Sequence, residues 1–321
     1  MRNFTYLGAE NLTSALSSLS APDTVPIGGG TDLLVEIDEG LRTPTKVVDV
    51  RGVPELQGIV SRGDGALEIG GAITLAALER DPVVLASYGT LAKACALSAS
   101  SALRNMGTIA GNLRQRPRCW YFRRGVRCYK RGGSTCPAVD GENQHLAIFG
   151  GGPCHAVHAS DPAVALTALD ASLIVASGRG TRSVSMASLY AVPNEDPTRE
   201  SVLAGDDLIL KIVLPAEAAG GAHYYDKAMQ REAWDFALVS VAAAKRRDGS
   251  VFIVLGGVAG RPWRVNESVE EDVASGGLSD DDFGTLAERA LYDATPLSKN
   301  GYKVKIATAL LIRAMKNIYA S

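Results

Sequence analysis

The sequence has little net charge, few aromatic residues and no long hydrophobic stretch. Its 33 Lys and Arg residues nearly balance 35 Asp and Glu residues, so the net charge is −2 and gives no general attraction to nucleic acid or to an anionic membrane. No apolar run approaches the roughly 18 residues that a membrane-spanning helix needs. The first residues lack the basic segment and apolar core of a secretory signal. We therefore expect a cytoplasmic protein.

The remaining composition is typical of a folded protein. Hydrophobic residues make up 46% of the chain and charged residues 21%, which excludes global disorder. A length of 321 residues predicts two domains. Strand-like and helix-like segments alternate, which predicts a mixed α and β fold. The predicted strands are 25–27, 45–50, 67–69, 173–176, 207–214, 236–243 and 251–255, the predicted helices 90–102 and 300–319, and the predicted linker 215–221.

Four of the five cysteines fall within one irregular segment. Their spacing is C-x8-C-x7-C-x17-C, formed by Cys119, Cys128, Cys136 and Cys154. Structural zinc sites usually contain C-x2–4-C pairs, which are missing here, and disulfides fit poorly with a reducing compartment. Iron–sulfur clusters take four thiolates and accept wide spacings. The spacing favours an iron–sulfur site and leaves zinc, or no metal, as alternatives. Cys95 lies outside this segment, in an apolar helix of small residues.

The same segment is strongly basic. Between Asn112 and Asp140 it contains no acid and eight bases, which are Arg114, Arg116, Arg118, Arg123, Arg124, Arg127, Lys130 and Arg131. Cations would stabilise a cluster of net negative charge. Aromatic residues such as Trp120 and Tyr121 lie among these bases, so a protein that grips single-stranded nucleic acid is an alternative, which the overall charge disfavours.

Two glycine-containing motifs precede the cysteines. In PIGGGTDLL, Gly28 to Gly30 stand before a predicted helix start, an arrangement in which backbone N–H groups can bind a phosphate or pyrophosphate. The motif is neither GxGxxG nor a Walker loop, so an ordinary tight turn is the alternative. In LRNMGTIAGNL, Gly107 and Gly111 frame polar residues and suggest a second phosphate-contacting loop. No Ser/His/Asp order or carboxylate pair stands out, so we assign no catalytic residue.

Taken in order, PIGGGTDLL, LRNMGTIAGNL and HASDPAVALTAL resemble the FAD-binding subunit of the molybdenum hydroxylases, the xanthine dehydrogenase and carbon monoxide dehydrogenase type of enzyme. The resemblance continues through DLILKIVLP, YYDKAMQREAWDFALVSVAAA and VLGGVAGRPWR and covers nearly the whole chain. In most of that family the second motif runs almost directly into the Asp-Pro segment, whereas here roughly 45 residues intervene. This insertion resembles two subgroups that add a 4Fe-4S cluster, 4-hydroxybenzoyl-CoA reductase and the periplasmic-type aldehyde oxidoreductase. RCWYFRRG and CYKRGGSTC look closer to the second subgroup.

The resemblance implies an α+β fold of the vanillyl-alcohol-oxidase type with an added C-terminal α/β domain. The FAD-binding domain would span 1–216, with subdomains 1–55 and 56–216 on either side of an extended FAD. The cysteine-rich 4Fe-4S insertion would span 114–158, and the C-terminal domain 222–321.

The resemblance also implies the site residues. The segment from Ile27 to Leu33 would hold the pyrophosphate, while Lys227 would face the isoalloxazine. The cofactor-binding residues expected from the matching motifs are Ile27, Gly28, Gly29, Gly30, Thr31, Asp32, Leu33, Thr108, Gly111, Asn112, Asp161 and Lys227. The expected ligands of the 4Fe-4S cluster are the four clustered cysteines.

The function that follows from the resemblance is electron transfer within a heterotrimer. A molybdopterin-binding large subunit would oxidise an aldehyde, and a small subunit would pass electrons from its 2Fe-2S clusters to FAD in this chain and on to an external acceptor. The alternatives are the flavin subunit of a 4-hydroxybenzoyl-CoA reductase-like or xanthine dehydrogenase-like enzyme and, more remotely, a metal-stapled nucleic-acid-binding protein. A partner that bears a signal would make the location periplasmic.

Overall fold

A computed structural model describes residues 3–190 and 196–320. In these residues three sheets are combined with short helices and one long C-terminal helix. The strands are β1 (Thr5–Gly8), β2 (Thr24–Ile27), β3 (Lys46–Asp49), β4 (Ile59–Ser61), β5 (Leu67–Gly70), β6 (Ser172–Ser177), β7 (Gly180–Ser185), β8 (Leu208–Leu214), β9 (Ala222–Ala228), β10 (Val239–Lys245), β11 (Val251–Gly256) and β12 (Trp263–Arg264). The helices are α1 (Leu12–Leu19), α2 (Leu33–Asp38), α3 (Leu75–Leu78), α4 (Pro82–Ser87), α5 (Gly89–Ala96), α6 (Ser101–Met106), α7 (Ile109–Leu113), α8 (Trp120–Arg123), α9 (Asp161–Ala168), α10 (Glu267–Ser275), α11 (Asp282–Ala290) and α12 (Tyr302–Tyr319).

The first sheet is parallel, with strand order β1-β3-β2. Parallel neighbours require crossover connections, which α1 and α2 provide. Asn11 begins α1, because its side chain accepts a hydrogen bond from the Ser14 N–H at 2.9 Å. The Gly28–Gly30 turn leaves the carboxyl end of β2 and leads into α2, so this sheet places the first glycine motif at its edge.

The second sheet is antiparallel, with strand order β4-β5-β8-β6-β7. Helices α3, α5 and α9 pack on it around a large core of Leu, Ile, Val and Ala side chains. Several of these short helices begin at a polar side chain that accepts a hydrogen bond from the first turn, and the capping residues are Thr74, Asp81, Ser100, Thr108 and Ser160. This capping explains how helices of only four to eight residues are held in place.

The third sheet, β12-β11-β10-β9, is also antiparallel and packs against α10, α11 and α12. The predicted hairpin is confirmed: β10 pairs with β11 across a turn in which Gly249 has φ +88°. The predicted C-terminal helix is confirmed as α12. Together the three sheets confirm the α+β fold class. No helix in the described residues is long and apolar enough to cross a membrane.

Two predicted elements differ from the structure. The helix predicted over 90–102 is broken between α5 and α6, where Ala99 has φ +48° and Arg104 binds the carbonyl of Ser98 at 3.1 Å. The strand predicted to begin at 236 begins at Val239, because the Asp235 carboxylate accepts backbone N–H bonds that fold residues 230–235 into a loop. Both irregular segments border a cavity of about 530 Å³.

The insertion 114–158 contains only α8 and a short 3-10 turn, but it is anchored at its far end. Asn143 is fully buried, accepts the N–H of Lys299 at 2.9 Å and donates to the Ser298 hydroxyl at 3.1 Å. Asn300 donates to the carbonyls of Leu146 and Ala147. Ile148 and Phe149 join the core of the C-terminal sheet. The insertion is therefore packed against the C-terminal part of the chain as well as the N-terminal part.

Candidate functional site

A large cavity, with a volume of about 530 Å³, lies where the first and second sheets meet. The two glycine motifs lie beside each other in its wall, and apolar residues such as Leu56, Leu75 and Ile209 line much of the rest. A mostly apolar cleft with a few polar groups is the usual form of a cofactor site. Of the expected cofactor-binding residues, those that line it are Gly28, Gly29, Gly30, Thr31, Asp32, Leu33, Thr108, Gly111, Asn112 and Asp161.

The glycines of the first motif allow the two loops to touch. A Cβ on Gly29 would lie 1.8 Å from the carbonyl oxygen of Met106, and one on Gly28 would lie 2.5 Å from Oγ1 of Thr108. Gly30 has φ +71°, a conformation that favours glycine. The close approach of the second loop therefore already excludes side chains at positions 28 and 29, before any ligand is considered.

The first loop also offers unused hydrogen-bond donors. Within the described part of the chain, the backbone N–H groups of residues 28–32 donate to no acceptor. These residues line the cavity immediately before α2. Several adjacent free N–H groups form a concave donor set that suits an anion such as a phosphate. The ordinary tight turn that the sequence left open does not account for these donors.

The second loop is held rigid by its own polar groups. Thr108 is buried and its Oγ1 accepts the N–H of Gly111 at 3.2 Å. The Ser160 hydroxyl donates to the Oδ1 oxygen of Asn112. These contacts leave Gly111 and Asn112 in the cavity wall beside the first loop. The structure thus brings both motifs to one ligand-sized space.

Asp161 reaches the cavity from the start of α9 and is braced from behind. Lys227 donates to its Oδ2 oxygen at 2.8 Å, and the Tyr225 hydroxyl donates to Oδ1 at 2.9 Å. Lys227 also binds the carbonyl oxygens of Leu97 and Asp235. In the described structure Lys227 lies behind Asp161 and outside the cavity wall, and Ile27 lies in the small core under the first sheet.

Asp32 points its carboxylate toward the insertion. Its Oδ2 oxygen accepts the Arg116 backbone N–H at 2.9 Å, and its Oδ1 oxygen lies 2.8 Å from Arg118 and 2.9 Å from Arg123. Burial raises the pKa of Asp32, but the charges of Arg118 and Arg123 outweigh burial and hold that pKa below its usual range. The carboxylate is therefore ionised and fully engaged by the insertion. One turn along α2, burial raises the pKa of Glu36 to about 7.

Several cavity residues were not anticipated from the sequence. Ser98 and Ala99 enter the wall through the break between α5 and α6. Arg231, Trp234 and Phe236 line the mouth from the loop before β10. The motif AMQREAWDFALV contains Arg231, Trp234 and Phe236. Its two aromatic residues within a polar run are the signal from which a place in a binding site could have been predicted. Gln115 and Arg118 come from the insertion, whose bases the sequence relates to the cysteines or to nucleic acid and not to this cavity.

The four clustered cysteines line one second, small cavity. Its wall consists of the four sulfur-bearing residues and mainly apolar neighbours, including Tyr121, Phe122 and Leu146. Backbone N–H groups of Tyr121 and Phe122 lower the pKa of the Cys119 thiol, and that of Ala156 lowers the pKa of the Cys154 thiol. Burial nevertheless raises the pKa of the Cys119 and Cys154 thiols. Cys95 is fully buried in the core of the second sheet, away from this cavity.

The thiols surround an opening and do not meet at a point. Among residues 3–190 and 196–320, no three His, Cys, Asp or Glu side chains converge closely enough to hold a single metal ion. A tetrahedral zinc site would require four sulfurs at about 2.3 Å from one centre. In the described residues the four thiols therefore share one opening of about 20 Å³ without being gathered at a single-ion site.

Most of the eight bases in the insertion hold it to the rest of the chain. Arg114 donates to the carbonyls of Ala204 and Asp207, and Arg116 and Lys130 both pair with Glu200. Lys130 also lines the cysteine cavity, and its charge favours the Cys154 thiolate. By contrast, Arg124 and Arg127 are exposed.

Sequence comparison gives consistent relatives. Residues 2–217 match the family model described as the FAD binding domain in molybdopterin dehydrogenase. The aldehyde oxidoreductase FAD-binding subunit PaoB of Escherichia coli is 37% identical over 97% of this chain and 96% of its own length. The glyceraldehyde dehydrogenase medium chain of Sulfolobus acidocaldarius is 26% identical over 98% of each chain.

Solved structures share the fold. A chain of quinoline 2-oxidoreductase from Pseudomonas putida 86 superimposes with a TM-score of 0.77 at 23% identity, covering 99% of this chain and 98% of that one. A chain of carbon monoxide dehydrogenase from Hydrogenophaga pseudoflava gives the same TM-score and coverage at 22% identity. The likeness extends over all three sheets.

Proposed function

The chain belongs to the family of FAD-binding medium subunits of the molybdenum hydroxylases, and from this premise we propose that it carries FAD and a 4Fe-4S cluster as the electron-transfer subunit of a molybdenum-dependent aldehyde oxidoreductase. It is an oxidoreductase subunit. The aldehyde assignment is supported by 37% identity to an aldehyde oxidoreductase subunit, against 25% to a xanthine dehydrogenase FAD-binding subunit of Escherichia coli.

The observation that carries FAD binding is the set of free N–H groups at residues 28–32 inside the large cavity. They provide donors for a diphosphate. Because Gly28 and Gly29 have no side chains, the second loop can approach the first and complete the wall of the site. Thr108, Gly111 and Asn112 provide further polar groups in the same wall.

Asp161 is the residue that we assign to orienting the cofactor's hydroxyl-bearing chain. Its carboxylate lies in the wall, accepts hydrogen bonds, and is fixed by Lys227 and Tyr225 so that it cannot rotate away. Bound FAD can hold one or two electrons and so links one-electron clusters to a two-electron acceptor. The apolar lining excludes water from that space, and no residue of this chain is assigned a role in oxidising the aldehyde.

The cluster proposal rests on the cysteine cavity. Cys119, Cys128, Cys136 and Cys154 would be the ligands, because all four line one mostly apolar opening and the charge of Lys130 beside them favours the Cys154 thiolate. Hydrogen bonds to the sulfurs and nearby charge tune the potential of such clusters. Lys130 is the base placed to do so, since it lines the same cavity.

The partners and the domain division complete the proposal. We assign the molybdenum cofactor to a large subunit and 2Fe-2S clusters to a small subunit, in a heterotrimer. Residues 1–216 would form the FAD-binding domain with its insertion, and 222–321 the C-terminal domain. The complex would be periplasmic if a partner subunit bears an export signal, and cytoplasmic if none does.

Purification of the chain with its partners tests the proposal. We expect flavin absorption near 450 nm, one FAD per chain and iron at about four atoms per chain above that of the small subunit. Cys128→Ser should lower this iron toward zero, while Cys95→Ser, which alters a buried cysteine outside the cavity, should leave it unchanged. Zinc in place of iron, or equal iron loss in both variants, would refute the cluster. The isolated chain should show no aldehyde turnover with any acceptor.

A further inference from the structure

Arg118 joins three separate elements at the wall of the large cavity. Its guanidinium lies 2.8 Å from Asp32 in the first glycine motif and 3.3 Å from the side-chain oxygen of Gln115. It also stacks over the ring of Phe236, 5.2 Å from the ring centre. The next residue in the chain is Cys119, which lines the cysteine cavity. Two consecutive residues thus belong to the walls of the two cavities.

One donor of this side chain is unused. The Nε atom of Arg118 is buried and has no hydrogen-bond partner within the described residues. Buried donors are almost always paired, so an unpaired one in a cavity wall indicates a missing acceptor. Arginine N–H groups bind phosphate oxygens well, and a diphosphate-containing cofactor brings such acceptors.

The position of Arg118 depends on the fold of the insertion. Arg118 directly precedes Cys119 and α8, and Arg123 at the end of that helix binds the same Asp32 carboxylate, at 2.9 Å. If the cysteine segment loosens, Arg118 and Arg123 lose their common geometry toward Asp32. The wall of the large cavity then changes too, because Gln115 and Arg118 are part of it.

We propose that Arg118 is a FAD-binding residue supplied by the insertion, and that through its contact with Asp32 it couples FAD binding to the filling of the cysteine cavity. The inference rests on the proposed function, since it takes FAD and the iron–sulfur cluster as the two ligands. The Asp32 side chain is then a positioning group that holds Arg118 and does not itself contact the cofactor. By linkage, each ligand strengthens binding of the other by the same factor.

The first test measures the FAD dissociation constant of deflavinated full-length chain by fluorescence titration. Arg118→Met should weaken FAD binding by between about 5-fold and 150-fold, the usual range of coupling between linked sites. The matched control is Arg124→Met, which removes an exposed arginine of the same insertion that stacks on Trp120, and its FAD affinity should equal that of the wild type. Cys128→Ser should weaken FAD binding in the wild-type background but add little to Arg118→Met.

A second measurement uses the unaltered protein, so that it stands even if the Arg118 variant folds poorly. An iron chelator is added to wild-type chain with and without FAD, and iron release is followed. FAD should slow the release in the wild type and in Arg124→Met. Equal release rates with and without FAD, or additive effects of Cys128→Ser and Arg118→Met, would overturn the coupling. A wild-type chain that binds no FAD or no iron would instead overturn the proposed function.

Discussion

The ammonium group of Lys227 lies 2.8 Å from the carboxylate of Asp161, and both side chains are buried. The same ammonium group binds the carbonyl of Asp235, the residue that shapes the loop carrying Trp234 and Phe236. One buried ion pair therefore fixes both a polar group of the cofactor cavity and the loop at its mouth.

Removing this lysine should be costly. Lys227→Met leaves the Asp161 charge buried without its partner, and we expect the free energy of unfolding to fall by roughly 3–5 kcal/mol. Urea unfolding and FAD content measure the effect. Lys93→Met, at an exposed lysine on α5, is the control and should change neither quantity. A Lys227→Met protein with wild-type stability and FAD content would show that the pair is dispensable.

Gly29→Ala should lower the stability of the protein even when no FAD is bound. The new Cβ would lie 1.8 Å from the Met106 carbonyl oxygen, so the two loops must separate, at a cost of roughly 1–3 kcal/mol or more. Thermal unfolding of the FAD-free protein tests this directly. Gly63→Ala, where a Cβ meets nothing within 4 Å, serves as the control. If only the FAD-bound form is destabilised, the glycine serves the ligand and not the loop contact.

Lys303 should make stability depend on pH. It is fully buried with its Nζ on the carbonyls of His145 and Gly257, and burial lowers its pKa to about 7. Between pH 7 and about 10.5 the unfolded chain holds a proton that the folded chain lacks, so the free energy of unfolding rises with pH in this window.

The comparison with Lys303→Met isolates this dependence. Urea unfolding from pH 6.5 to 9.5 should show the wild type gaining stability relative to the variant as pH increases. The neighbouring His145 titrates lower, because burial and the Lys303 charge lower its pKa. Parallel stability curves for the two proteins would rule out the assignment.

Asn143 should control the order of the cysteine segment. Its buried amide binds the carbonyls of Ala138 and Val139 and accepts the Lys299 N–H. Asn143→Ala leaves these groups unsatisfied, which costs roughly 1–3 kcal/mol. Hydrogen exchange should speed up in residues 136–143, and the exposed-site variant Ser134→Ala should not show this change. Unchanged exchange in that segment would contradict the anchoring role.

The local parts of the structure could be predicted from the sequence. Short-range patterns predict strand β2, the turn at Gly28–Gly30 and the start of α2 at Asp32. The Asp-Gly turn predicts the hairpin of β10 and β11. The order of the motifs also indicated the family. These features depend on neighbours within a few residues, where propensity and turn chemistry decide.

The contacts that join distant segments could not be predicted. The hydrogen bond from Arg116 to Asp32 joins residues 84 positions apart, and the local sequence around neither residue indicates its partner. Arg118 carries no local signal for the large cavity, since its role depends on where α8 packs. Lys227 was predicted to face the flavin, but a sequence motif cannot distinguish a lysine in the wall from one behind it.

The double anchoring of the insertion affects the order in which the chain acquires its structure during synthesis. Asn143 forms hydrogen bonds with Ser298 and Lys299, and the Leu146 and Ala147 carbonyls accept hydrogen bonds from Asn300. These partners lie more than 150 positions downstream. The ribosome makes these partners long after the cysteine segment. The glycine loops can therefore fold early, whereas the cysteine pocket reaches its final form only when residues 298–300 have been made. Truncating the chain before Ser298 would leave the far end of the insertion without these partners.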